Sequence, residues 1–265
     1  MARGIWQKSP GCWLGLCLAL ACLAGVVGCA SNQAERKKNA ERMMNEGSLA
    51  LRAGDATLAM DVLLKAEKED PENPDVHYNL GIAYLGKNLV DKAEDEFKEA
   101  IRLKADYSEA YNYLGRIYLY YRGQPDAAIQ CFQKAVANVR YNNPENSYYN
   151  LGEAYMIKKD YPKAAEQLER AIRLVPDFAP AYALLGQAYE GQRKNDDAKR
   201  SYRSALQYGG NYGPDFQAQV QLNLGKLLAR TGDRAAARKS LAAVMQLAPN
   251  SKGAAEAQAV LNSMK

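Results

Sequence analysis

An all-α chain built from stacked helix pairs is predicted by three observations. A Leu-Gly pair with Tyr three residues further on recurs at Leu80-Gly81-Tyr84, Leu114-Gly115-Tyr118, Leu151-Gly152-Tyr155 and Leu185-Gly186-Tyr189. Degenerate copies stand at Gly47 with Ala50 and at Leu224-Gly225 with Leu228. Each copy is trailed by a small residue, a large apolar one four later, and a further apolar one three after that. These trios are Ala59/Leu63/Ala66, Ala93/Phe97/Ala100, Ala128/Phe132/Ala135, Ala164/Leu168/Ala171, Ala198/Tyr202/Ala205 and Ala237/Leu241/Val244. Turn chemistry falls between the two patterns, at Ala53-Gly54-Asp55, Gly123-Gln124-Pro125, Lys159-Asp160-Tyr161-Pro162 and Thr231-Gly232-Asp233.

The apolar spacing inside each half is that of one helical face. Each unit therefore reads as two antiparallel helices, with glycine and alanine where they cross closely and large residues filling the space between units. One pair cannot bury its apolar face alone, so the pairs must stack. Gly47 to Gly81, Gly81 to Gly115 and Gly152 to Gly186 are each 34 residues, whereas Gly115 to Gly152 is 37 and Gly186 to Gly225 is 39. The longer gaps hold Asn142-Asn143-Pro144 and Tyr208-Gly209-Gly210-Asn211-Tyr212-Gly213-Pro214, which read as longer loops. Pro71, Pro176 and Pro249 close three units, while Pro125 and Pro162 lie near a helix start, where proline is tolerated. Six units span residues 40–250. Residues 251–265 read as a capping helix, with Ala254, Ala255 and Ala259 turned inward and Lys252, Glu256 and Lys265 facing water.

The first 29 residues are chemically distinct. Cys12, Cys17, Cys22 and Cys29 lie there, as do Trp6 and Trp13, and only Cys131 lies beyond. Arg3 and Lys8 precede an apolar run from Cys12 to Val27 that ends in small residues, the order of a secretory signal peptide over residues 1–28. A single cysteine in the body allows no internal disulfide there, so the fold must rest on its own core. Residues 29–39 are polar and read as a short tether. Ten such residues reach at most roughly 35 Å when extended.

The chain has 265 residues, 48% of them hydrophobic and 25% charged, which argues against disorder. Its net charge of +5 is spread without a basic block, so nucleic acid is not an expected partner. The one histidine, His77, occupies a packing position; Cys131 has no companion thiol, and no His/Cys cluster has metal spacing. No glycine-rich phosphate loop is present. The sequence thus predicts no catalytic group, metal, cofactor or small-molecule substrate.

The repeating pattern resembles the tetratricopeptide repeat almost position for position, over about residues 40–250. That resemblance implies a right-handed superhelical solenoid of six repeats with the C-terminal helix as a cap. It also implies a concave groove lined by the first helix of each repeat. By this mapping the groove candidates are Asn45, Tyr78, Asn79, Asn112, Arg116, Tyr149, Asn150, Glu153, Gln187, Asn223 and Lys226. Groove asparagines in some repeat proteins of this kind bond the main chain of an extended peptide, since an amide both donates and accepts. Tyr120 and Tyr121, at a helix end, and Tyr208 and Tyr212, in the longer gap, are further candidate anchors, because aromatics bury large area at low entropy cost.

Val26-Val27-Gly28-Cys29 resembles a bacterial lipobox, which implies diacylglycerol on Cys29, cleavage before it and acylation of its amine. Two or three acyl chains hold a protein stably on a membrane. Ala30, in place of the Asp that often retains lipoproteins at the inner membrane, implies the outer membrane with the body facing the periplasm. Lipobox, short tether and six repeats together resemble the pilotin family of type IV pilus biogenesis. This resemblance implies a partner, the secretin subunit, whose membrane targeting and ring assembly the protein would promote. The alternative is a general envelope scaffold that docks other proteins, such as cell-wall hydrolases.

Overall fold

The computed structural model describes the backbone from residue 11 to 264 and the side chains from residue 32 to 264. The expected signal peptide and the lipidated Cys29 lie outside the described side chains. The chain forms α1 (Gly11–Arg52), α2 (Ala56–Glu69), α3 (Pro74–Gly86), α4 (Val90–Leu103), α5 (Ser108–Tyr120), α6 (Pro125–Ala137) and α7 (Pro144–Ile157). It continues as α8 (Tyr161–Leu174), α9 (Ala179–Gly191), α10 (Asn195–Tyr208), a 3-10 turn (Gly209–Tyr212), α11 (Gly213–Arg230), α12 (Arg234–Leu247) and α13 (Lys252–Ser263). No strand occurs among the described residues. The helices divide into two compact units, Met1–Lys104 with the first two pairs and Ala105–Lys265 with the other four pairs and α13.

Within every pair one contact repeats. The glycine of the first helix lies directly against the large residue of the second: Gly47 on Leu63, Gly81 on Phe97, Gly115 on Phe132, Gly152 on Leu168, Gly186 on Tyr202 and Gly225 on Leu241. A methyl group added at these glycines would meet the facing side chain at between 2.5 and 2.8 Å, closer than carbon atoms pack. The facing residues Leu63, Phe97, Phe132, Leu168, Tyr202 and Leu241 are fully buried. Full burial of such a side chain stabilises by about 1.5–3 kcal/mol. The two sequence patterns are therefore the two sides of one contact, made six times.

Each turn inside a pair contains one left-handed residue. In three turns it is a glycine: Gly54, Gly123 and Gly232 (φ 80°, 62° and 87°). In the others it is Asn88, Lys159 or Arg193 (φ 59°, 59° and 62°). Where aspartate follows, its carboxylate caps the second helix: Asp55 accepts from Leu58 N at 2.9 Å, Asp160 from Lys163 N at 3.3 Å and Asp233 from Ala236 N at 3.2 Å. The left-handed conformation costs a side-chain-bearing residue about 1–2 kcal/mol. Lys159 and Arg193 are exposed. Replacing both with glycine relieves that strain, offset by roughly 0.4–1 kcal/mol per site from the freer unfolded chain. The double variant should melt about 2–4 °C higher than the parent. An unchanged or lower melting temperature in a thermal scan would contradict the strain argument.

Three sequence expectations need correction. The tether residues 30–39 are helical and continuous with the first repeat helix. They contain no proline or glycine and are rich in helix formers. Arg36 fastens this stretch, donating to Glu69 Oε2 at 3.2 Å and to the Lys68 carbonyl at the end of α2 at 2.6 Å. The 39-residue gap is not absorbed by a loop alone. A 3-10 turn and a longer first helix, α11 with 18 residues, take it up, joined at Gly213 in the left-handed region (φ 81°) and followed at once by Pro214 in the first turn of α11. On α13, Ala254 and Ala257 are buried, with Met264 just beyond the helix, whereas Ala255 and Ala259 are exposed. Ser251 sets this phase, since its hydroxyl accepts from Ala254 N at 3.1 Å and so fixes where the helix starts. Lys252 and Glu256 face water as expected.

Candidate functional site

The first helix of each pair carries the predicted partner-binding residues. In the first unit Asn45 is exposed on α1 and Tyr78 is half-buried on α3, its ring 6.1 Å from that of Phe97. Asn79 is buried and donates to the Asp75 carbonyl of its own helix at 2.7 Å. Its amide thus already has a main-chain partner within the protein.

The second unit holds the other candidates on α5, α7, α9 and α11. Asn112 on α5 and Asn150 on α7 are both buried. Asn112 Oδ1 accepts from Asn150 Nδ2 at 2.9 Å and from the Ser147 hydroxyl at 2.9 Å. Tyr141, buried at the base of the longer loop, places its hydroxyl 3.4 Å from Ser147. Asn138 pins the same loop, donating to the Asp106 carbonyl at 2.9 Å. These amides join neighbouring repeats to each other. On α11, Asn223 is half-buried and accepts from Gln219 of the same helix at 3.1 Å.

A different set of side chains faces outward. Glu153 on α7 accepts from the Tyr149 hydroxyl at 3.2 Å and from the Tyr120 hydroxyl of α5. Burial comes first in raising the pKa of both phenols, and the adjacent Glu153 adds to it, so both stay protonated as donors. The Tyr149 ring also packs against Phe178, centroid to centroid 5.4 Å. Tyr120 and Tyr121 at the end of α5 and Ile157 at the end of α7 each leave about half their surface exposed, at 51%, 53% and 56%. Arg116 is exposed on α5 with its guanidinium 5.2 Å from the Tyr113 ring centre. Gln187 is exposed on α9, and Lys226 on α11 pairs with Glu256 of α13 at 3.0 Å. Tyr208 stacks on Tyr182 of α9 at 5.7 Å and Tyr212 packs on Phe216 of α11 at 5.3 Å, and each keeps part of its surface exposed.

The structure therefore brings Arg116, Tyr120, Tyr149 and Glu153 together and withdraws Asn112 and Asn150 from the surface. An aromatic and aliphatic patch with one guanidinium beside it can anchor a protein partner by burying Tyr120, Tyr121 and Ile157. Ile157 and Phe178 were missed in the sequence because each fits an ordinary packing position.

Cys131 and His77 are not part of this patch. Cys131 on α6 is a buried free thiol whose pKa burial pushes up to about 11. His77 on α3 is buried, as expected for a packing residue, yet it is highly coordinated. Its Nδ1 lies 2.7 Å from Glu96 Oε2 and its Nε2 lies 2.8 Å from the Pro71 carbonyl. Burial opposes the charged ring, but the bonds to Glu96 and to Pro71 outweigh it and raise the His77 pKa. Glu67 on α2 completes the cluster; its pKa is raised by burial first and by Glu96 second.

Family models of the tetratricopeptide repeat match residues 50–117, 106–177 and 184–252. The chain is similar to the crystal structure of PilW, a widely conserved type IV pilus biogenesis factor. That similarity has 23% identity and a TM-score of 0.73, over 84% of this chain and 98% of PilW. It is also similar to PilF of Pseudomonas aeruginosa, with 23% identity and a TM-score of 0.74, over 85% of this chain and 99% of PilF. Among curated proteins it is 29% identical to the BBSome complex member BBS4 of Bos taurus over 55% of this chain. The chain spans only 27% of the length of BBS4 and 38% of a second curated relative.

Proposed function

We infer, since this chain belongs to the tetratricopeptide repeat family, that it is a scaffold which holds another protein, and we propose that this partner is a secretin subunit of type IV pilus biogenesis. In this reading Cys29 carries the lipid, the outer membrane holds the anchor, and the body works from the periplasmic side. Secretin subunits are held there, which raises their effective concentration and promotes multimer assembly. The observation that supports the reading most is the correspondence over 98% of PilW, a type IV pilus biogenesis factor, with a like correspondence over 99% of PilF. The lipobox at Val26-Val27-Gly28-Cys29 supports the anchor. With residues 30–39 helical at about 1.5 Å per residue, the first repeat starts about 15 Å from the lipid instead of the 35 Å an extended tether would reach.

The experiment is a deletion strain assayed for detergent-resistant secretin multimers and for surface pili. Loss of both, restored by the wild-type gene, is the expected result. Normal multimers and normal pili would overturn the reading. Complementation with Cys29→Ala should restore them poorly, and complementation with Arg116→Glu plus Tyr120→Ala should leave the protein folded and anchored while capture of the secretin subunit falls at least tenfold. Full capture by that double variant would remove the patch from the function.

A further inference from the structure

We propose that Glu67, His77 and Glu96 form a binding site for a divalent cation of the zinc class. The three side chains come from α2, α3 and α4, and their ligand atoms all lie within 4.8 Å of one another. The spacing along the chain, ten residues and then nineteen, gives no local motif; the packing of two neighbouring pairs brings the donors together.

Three features point to a cation. His77 Nε2 is held by the Pro71 carbonyl at 2.8 Å. A metal-bound imidazole is commonly oriented in this way, its second nitrogen donating to a backbone carbonyl, and Nδ1 is thereby aimed at the two carboxylates. Glu96 faces Nδ1 directly at 2.7 Å. Glu67 is half-buried beside Glu96 and makes no hydrogen bond or ion pair of its own among the described residues. Two carboxylates converge on one ring nitrogen, and of the two only Glu96 is bonded to it. A dication between the three groups would balance both carboxylate charges.

The donor set selects the metal. One imidazole nitrogen and two carboxylates suit zinc and its transition-metal neighbours, whereas magnesium and calcium prefer oxygen alone. Zinc bonds of about 2.0–2.2 Å put tetrahedral ligand atoms roughly 3.4 Å apart. The 4.8 Å spread closes by rotation of Glu67, the carboxylate nothing else restrains. Water fills the fourth position. Binding ties the end of α2 to α3 and α4, so the site clamps the first two repeats together.

The test uses the full chain freed of metal by chelation and titrated with zinc chloride. Calorimetry should give one zinc ion per chain, and the melting temperature should rise with zinc. Cobalt substituted for zinc should give a visible absorption band of tetrahedral ligation. Glu67→Gln removes a carboxylate that makes no hydrogen bond among the described residues, so the variant should fold and melt as the parent does without metal, while its zinc affinity falls at least tenfold. His77→Gln should abolish the cobalt band; if that variant does not fold, Glu67→Gln decides alone. No zinc bound at millimolar concentration, unchanged affinity in Glu67→Gln, or displacement of zinc by equimolar magnesium would each overturn the proposal.

Discussion

Gly186→Ala is expected to lower the melting temperature by about 4–8 °C, although alanine is the better helix former by about 1 kcal/mol. The added methyl would meet Tyr202 Cε1 at 2.5 Å and Cδ1 at 2.6 Å. Overpacking of this kind costs about 1–3 kcal/mol or more when the neighbour cannot move. Tyr202 is fully buried, and its hydroxyl bonds Glu190 at 2.5 Å. Glu190 in turn accepts from Arg230 Nη2 at 2.7 Å, so tilting the ring away would break a chain of bonds that runs to α11. Gly210→Ala is the control, because an added methyl there meets nothing within 4 Å. A double-mutant cycle isolates the contact. Tyr202→Ala alone should cost about 3–5 kcal/mol, and Gly186→Ala in that background should cost nothing further. Additive losses would show that the glycine is kept for some reason other than the ring.

Asn112→Ala should destabilise the protein by about 3 kcal/mol, with a fall in melting temperature of about 6–12 °C. The variant removes the acceptor shared by Asn150 Nδ2 and the Ser147 hydroxyl, both buried. A buried donor left without a partner costs about 1–3 kcal/mol; the Asn150 amide is left so, and the Ser147 hydroxyl keeps only the long 3.4 Å bond to Tyr141. The fraction that remains folded should bind its partner as the parent does. Tyr120→Ala should behave in the opposite way, because about half of that side chain is exposed: a small change in melting temperature and a large loss of capture. If Asn112→Ala melted normally yet failed to bind, the asparagines would return to the peptide-reading role expected from the sequence.

That pair of variants separates what could be read along the chain from what could not. The repeat period and the pairing of helices were legible, because each depends on a local pattern; the large residues, read as filling the space between units, instead face the glycine of their own pair. Gly81 and Phe97 lie 16 residues apart, a distance set by two helices and a tight turn, and the same offset recurs with a single one-residue exception at Gly115 and Phe132. Pro125 and Pro162 were legible at helix starts, where a missing N–H and a fixed φ are tolerated, whereas Pro144 and Pro214, read as loop residues, stand in the first turns of α7 and α11. Less visible was the phase of α13, where an alanine-rich segment offers several faces and the Ser251 cap chooses Ala254 and Ala257.

The sequence by itself determined that this chain stacks helix pairs and, through that stack, that it belongs among scaffolds. Hydrophobic burial carries that information at short range, with glycine wherever a large neighbour must come close. Only the tertiary structure decided which polar groups remain free. Asn112, Asn150 and Asn79 have the residue type of a peptide reader, but their partners are already inside the protein; those of Asn112, Ser147 and Asn150, lie 35 and 38 residues further along the chain. Glu67, His77 and Glu96 look unrelated in the sequence and meet within 4.8 Å. The physical reason is the same in both cases. A hydrogen bond or an ion site depends on a few tenths of an ångström between helices, and no pattern within one helix records that distance.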